Sequence, residues 1–153
     1  MFLRLFGLLL SLLFSGCSNL ENLTKEKLHS AEETWKKRAP GLYRMAVEMS
    51  GERIESGLFE VIVRSDVVVS LKRNGLVVRP GREQDYSMEG LFSTLWQELE
   101  LSRQPKLLGA PSGFSAHLLV RFDNQDGGIR HYRRVVGGNG NSIEIRVLTF
   151  DPR

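Results

Sequence analysis

One cysteine in 153 residues rules out an intramolecular disulfide, so the fold is not a small stapled scaffold. Charge of one sign is also scarce. Twenty-one Lys and Arg against 18 Asp and Glu leave +3, too small a surplus to make nucleic acid the main partner. Glycine shows no three-residue period and proline occupies only five positions, which excludes a collagen-like chain, while the plentiful aliphatics exclude a disordered one. No apolar run reaches the roughly 20 residues needed to cross a bilayer as a helix. The three histidines, His29, His117 and His131, form no His-x-x-x-His or His-Glu-x-x-His spacing, so no zinc site is written into the sequence. What remains has the size and composition of one soluble globular domain.

The chain begins with a single positive charge at Arg4, an apolar run from Leu5 to Phe14, and the small residues Ser15 and Gly16 before Cys17. That order is the order of a signal peptide. Because the only cysteine stands where cleavage is expected, the segment resembles a bacterial lipoprotein signal, with Phe14 where such signals usually carry Leu. The resemblance implies diacylglycerol transfer to the Cys17 thiol, cleavage before it, and acylation of the new amino terminus with a chain such as palmitate. More than one acyl chain makes attachment lasting rather than reversible. Residues 1–16 are thus expected to be a signal peptide, 17–19 a lipidated cysteine with a short tether, and 20–153 one periplasmic domain. Cleavage removes Arg4 and lowers the balance from +3 to +2. Ser18, rather than Asp, after the cysteine resembles the pattern that sorts lipoproteins to the outer membrane.

Beyond the anchor, Leu20, Leu23, Leu28, Ala31 and Trp35 fall on one side of an expected helix of about eighteen residues. Lys36-Lys37-Arg38 complement its negative end before Pro40-Gly41 stops it. The period then changes to two. Tyr43, Met45, Val47 and Met49 alternate with Arg44, Ala46 and Glu48, and Phe59, Val61 and Val63 with Glu60, Ile62 and Arg64. Asn74-Gly75 between Leu71 and Leu76 predicts a two-residue hairpin, since a type I′ turn needs positive φ at both centres. Ser87 is placed to cap a second helix carrying the stripe Met88, Leu91, Phe92, Leu95, Trp96 and Leu99. Three further strands follow around Leu118–Phe122, Ile129–Val136 and Ile143–Val147. The expected order is helix, four strands, helix, three strands. Such short connections argue for an α+β fold, an antiparallel sheet of about seven strands with two helices packed on one face. The other face would carry Arg44, Glu48, Glu60, Arg64, Lys72, Arg121, Glu144 and Arg146.

Candidate chemistry is sparse. Gly-x-Ser-x-Gly is absent, and Asp123 to Gly128 lacks the ligand spacing of a calcium loop, ending at Arg134 where a closing Glu would stand. Gly137 to Asn141 is glycine-rich but no helix pattern follows it, so it reads as a hairpin rather than a phosphate loop. No cofactor or metal is expected. Arg130, Tyr132 and Arg134 share one strand face and form a candidate anion or partner site. Met45, Met49, Met88, Phe92 and Trp96 form a candidate apolar pocket between sheet and helices.

Several landmarks together resemble a domain of unknown function found in small bacterial lipoproteins: Trp35 and Tyr43, the Asn74-Gly75 turn, Tyr86 to Phe92 opening the second helix, and Arg121-Phe122-Asp123. The similarity spans Leu28 to Phe150 and brings no activity with it. The first expectation is therefore a non-enzymatic, lipid-anchored accessory protein that binds an envelope protein or glycan through the open sheet face or the Arg130 to Arg134 strand. A carrier of an acyl chain or other apolar ligand is the alternative. A hydrolase, with His117 or His131 beside Asp123 or Asp151, is third.

Overall fold

The computed structural model describes residues 19–52, 54–79, 85–138 and 141–153. The leader and Cys17 lie outside the described residues. Among those described, eight strands form one antiparallel sheet accompanied by two α-helices, an α+β fold.

The first strand, β1 (Glu21–Asn22), occupies residues expected to open the first helix. Glu21 stands opposite Val120 and Asn22 opposite Leu119, and the Leu23 N–H donates to the Leu118 carbonyl at 2.9 Å. Backbone pairing to the sheet thus takes three residues away from the helix, and α1 (Lys25–Arg38) begins one turn later than its apolar spacing predicts. Thr24 makes the new start, its hydroxyl accepting from the Lys27 N–H at 3.3 Å. This short strand also raises the count from about seven to eight.

Next come β2 (Leu42–Gly51), β3 (Gly57–Arg64), β4 (Val67–Arg73) and the two-residue β5 (Leu76–Val77). Asn74 and Gly75 have φ of 49° and 81°, the type I′ geometry their identities predict. Helix α2 (Met88–Ser102) starts at Ser87, whose hydroxyl accepts from the Gly90 N–H at 3.0 Å. After a 3-10 turn at Pro105–Leu108, β6 (Ala116–Phe122), β7 (Ile129–Val136) and β8 (Ile143–Pro152) complete the chain. Helix followed by an antiparallel meander therefore occurs twice, with four strands after α1 and three after α2. The strand order is β1-β6-β7-β8-β2-β3-β4-β5, and the two meanders join where β8 pairs with β2 from Tyr43 to Gly51.

Alternation along these strands sorts the side chains. Tyr43, Met45, Val47, Phe59, Val61, Val63, Val120 and Ile145 are buried together with Leu28 and Trp35 of α1 and Leu91, Phe92 and Leu95 of α2 in one cluster. Each such aliphatic contributes about 1.5–3 kcal/mol through burial. The alternate residues Arg44, Glu48, Glu60, Arg64, Lys72 and Arg146 are exposed, and Arg121 and Glu144 are half-buried. Trp35 meets Tyr43 edge-on, with ring centroids 5.6 Å apart, and Phe150 joins them at 5.7 and 5.3 Å.

The hairpin between β6 and β7 presses on α1 through Gly127, buried at φ 77°. A Cβ there would overlap the Ala31 carbonyl oxygen and the Thr34 side chain. Gly127→Ala is expected to lower stability by about 2–4 kcal/mol, combining left-handed strain with overpacking. Gly75→Ala, at positive φ but with open space around it, should cost only about 1–2 kcal/mol. Urea midpoints at unchanged slope would measure both, and equal losses would contradict the packing role given to Gly127.

Candidate functional site

Residues 130, 132 and 134 alternate along β7 and share one face, and that face is the buried one. Tyr132 and Arg134 are 0% and 3% exposed. Both are engaged by Glu98, which α2 places against them. The Tyr132 hydroxyl donates to Glu98 Oε2 at 2.9 Å, and Arg134 Nη1 donates to both carboxylate oxygens at 2.8 and 2.7 Å. The remaining Arg134 N–H groups, from Nε and Nη2, reach the Asn141 carbonyl at 3.3 and 3.2 Å, while the Asn141 amide donates to the Leu108 carbonyl at 2.7 Å. Burial first, and the Glu98 charge second, push the Tyr132 phenol far above its usual range. It is therefore a fixed hydrogen donor. The anion expected at this strand is part of the protein.

Arg130 lies nearer the hairpin. Its Nη2 pairs with Asp126 at 2.6 Å and Asp123 at 3.6 Å, and its guanidinium stacks 4.7 Å from the Phe150 ring centre. Burial raises the Asp123 pKa, but the N–H groups of Asp126 and Gln125 together with Arg130 outweigh it and hold the carboxyl below its usual range. So none of the three residues presents a free charged group to solvent.

The five residues of the expected apolar pocket also lie inside. Met45, Met49, Met88 and Phe92 belong to the main core, and Trp96 packs against it half-buried. Met88 sulfur accepts from the Ile129 N–H at 3.2 Å, and the Trp96 indole donates to Glu32 at 3.0 Å. They fill the space between the elements, and Met45 also borders a depression on the charged face.

The two histidines do not meet. His131 stands opposite Arg121 and His117 opposite Val135, four residues along the same ladder. His117 Nε2 lies 3.2 Å from the Ser115 hydroxyl. His131 Nε2 lies 2.7 Å from Glu144, which also accepts from Arg146 at 3.1 Å, and Arg146 stands 4.0 Å from Glu48. Asp123 faces Arg130, and Asp151 pairs with Arg153 at 3.2 Å. Neither aspartate is the partner of a histidine. No group of three potential ligands able to hold a metal occurs among the described residues.

Among the described residues a depression lies on the charged face. It spans β8, β2, β3 and β4, encloses about 310 Å³, and is bordered by Arg44, Ala46, Glu60, Ile62, Lys72 and Asp151. Small residues form it: Ala46 sits between Glu60 and Thr149 in the pairing, and Ile62 opposite Ser70. Arg44, Glu60 and Lys72 form no ion pair among the described residues. The surface can therefore hold an extended group against a short apolar floor with charges of both signs at its rim.

The carboxylates that organise the interior, Glu89 and Glu98, went unnoticed in the sequence. Glu98 stands three residues after Leu95 and seven after Leu91, a charge inside an apolar stripe, and that placement is its only signal. Comparison with family models, curated proteins and solved structures returned no match. No helix among the described residues is long and apolar enough to cross a membrane.

Two outcomes follow from these contacts. Arg134→Met should destabilise by about 3–5 kcal/mol, because Glu98 is left charged and unpaired, and adding Glu98→Gln should restore part of the loss. Urea denaturation of the single and double variants measures this, and a purely additive double variant would refute the coupling. Arg146 first, then His131, hold the Glu144 carboxyl below its ordinary 4.5 against the opposing effect of burial. A depressed pKa gives stability that is present above the unfolded value and lost as pH falls through the folded one. Glu144→Gln should therefore flatten the acid-side fall in melting temperature below about pH 5, with wild type and variant converging at the lowest pH.

Proposed function

We propose that the chain is a lipid-anchored protein of the bacterial cell envelope, a non-enzymatic module that binds another envelope component through the charged face of its sheet. The observation that carries this reading is the placement of the only cysteine, Cys17, directly after an apolar run and two small residues. Ser18 favours the outer membrane, with the domain on the periplasmic side. In this reading both helices cover one face of the sheet, and the opposite face, with its unpaired Arg44, Glu60 and Lys72, is left for a partner protein or glycan. The interior residues of β7 do not compete for that role, since Tyr132 and Arg134 are bound to Glu98. No specific observation favours a carrier or a hydrolase.

Intact mass of the chain purified from a lipoprotein-processing bacterium tests the anchor. The expected species begins at Cys17, carries acyl chains on sulfur and amine, and partitions with membranes, whereas Cys17→Ser yields a soluble, unacylated chain. An unmodified thiol, or an uncut leader, would overturn the reading. Photocrosslinkers placed at Lys72 and at Arg103, outside the charged face, test the surface, with adducts expected only at the former.

A further inference from the structure

The direction in which the chain leaves the sheet selects which end of the domain an anchor at Cys17 would hold against a bilayer. β1 runs antiparallel to β6, with Asn22 opposite Leu119 and Glu21 opposite Val120. Stepping back toward the amino terminus therefore moves toward Phe122 and the Asp123–Gly128 hairpin. Asn19 is exposed, and two further residues span at most about 7 Å. The carboxyl end of α1 arrives at the same place, because the Arg38 guanidinium donates to the Gln125 carbonyl and Gly127 lies against Ala31 and Trp35. The β3–β4 turn is tied on beside it, the Ser65 N–H donating to the Gly41 carbonyl at 2.8 Å.

This end carries cations that the fold does not neutralise. Lys36 is shared between Glu32 and Glu33, both at 3.5 Å, and the hairpin's Asp123 and Asp126 are both spent on Arg130. Lys37, Arg38 and Arg64 are exposed and have no carboxylate partner among the described residues. Asp66 is the nearby exposed acid without a partner. The carbonyl ends of α1 point the same way, and cations there also answer the helix dipole, but that effect needs no residue as far along as Arg64.

We infer that Lys37, Arg38 and Arg64 form a surface that rests on the anionic headgroups of the bilayer holding the anchor. The inference relies on the acylation of Cys17 proposed above. A tether this short holds the domain close enough to set this end down on the bilayer, and in that pose the three cations come within a Debye length of about 8–10 Å of the lipid phosphates, where attraction to an anionic surface is felt. Contact then orients the domain. The strands rise from the membrane, and the charged face looks along it rather than into it.

The test uses the full acylated chain reconstituted in vesicles. Cys17 is blocked by its lipid, so a single added cysteine can carry a fluorophore: Asn124→Cys at the hairpin, or Arg103→Cys at the opposite end of the helix pair. With nitroxide-labelled headgroups in phosphatidylethanolamine and phosphatidylglycerol vesicles, the position 124 label should be quenched severalfold more than the position 103 label. That ratio should fall toward one in phosphatidylcholine vesicles, in high salt, or with Lys37→Glu, Arg38→Glu and Arg64→Glu combined. Equal quenching at both positions, the reverse order, or a ratio untouched by lipid charge and by the triple variant would overturn the inference while leaving the anchor intact. Mass analysis of the same sample separates the cases, since an unacylated Cys17 would remove the anchor and this inference together.

Discussion

Glu98 lies on the buried side of α2, and a carboxylate there must be neutralised where it stands. Arg134 and Tyr132 of β7 supply the charge and the third hydrogen bond, Asn141 supplies a carbonyl to the guanidinium, and its amide reaches back to Leu108. One ionised group thereby ties together α2, β7, the approach to β8 and the 3-10 turn. A buried ion pair adds little net stability over apolar residues of equal volume. Its leverage lies in the cost of separating the partners. Sliding β7 by one residue would turn Tyr132 and Arg134 to the charged face and strand Glu98 in the core, so the pair penalises the slip that a period-two pattern most readily permits.

A second set of polar contacts fixes the helices. The Trp35 indole of α1 donates to Glu89 of α2 at 2.6 Å, and the Trp96 indole of α2 donates to Glu32 of α1 at 3.0 Å. With Lys25 paired to Glu100 at 3.1 Å, these contacts run in opposite order along the two helices and make them antiparallel. Glu89 also accepts from the Tyr43 hydroxyl, which in turn accepts from the Met88 N–H at 3.0 Å. Burial drives the Tyr43 phenol well above its usual range, so it remains a donor. Each large aromatic in this region thus brings both apolar area and a directed polar contact, the combination that turns a hydrophobic cluster into a single arrangement.

Most elements were legible because a local rule decided each one. Asn74-Gly75 selected its turn, Ser87 its cap, and the spacing from Leu91 to Leu99 its helix. The misreadings share a cause. Leu20 and Leu23 satisfy a helical stripe, yet a strand almost a hundred residues away pairs with Glu21 and Asn22 and accepts the Leu23 N–H. Likewise an Arg-x-Tyr-x-Arg strand reads as a polar face until an acidic residue from another element is known to meet it. Met45, Met49, Met88 and Phe92 all belong to the one large buried cluster. Whether such a group is a pocket or a core depends on how closely the helices approach, a tertiary quantity that no spacing encodes. His131 drew attention as a base, but its partner Glu144 stands on the adjacent strand β8, thirteen residues away in sequence.

Among the described residues the buried polar side chains are engaged within the fold, with Arg130 Nη1 the exception, and this gives the exposed, unspent ones their meaning. Glu60 stands opposite Lys72 on one side and Ala46 on the other, and Arg44 lies two residues away along β2 opposite Ile62, so groups of both signs border a floor of Ala46 and Ile62. Mixed signs of this kind discriminate by pattern more than by net attraction. A weak, patterned contact gains most when its partner is already confined nearby, because a shared surface replaces free diffusion with a high effective concentration. Were the chain held at a bilayer as proposed, a shallow cleft of mixed charge would be enough to recognise a component fixed to the same envelope. A deep pocket or an apolar interface would be required only of a protein that had to find its partner in bulk solution.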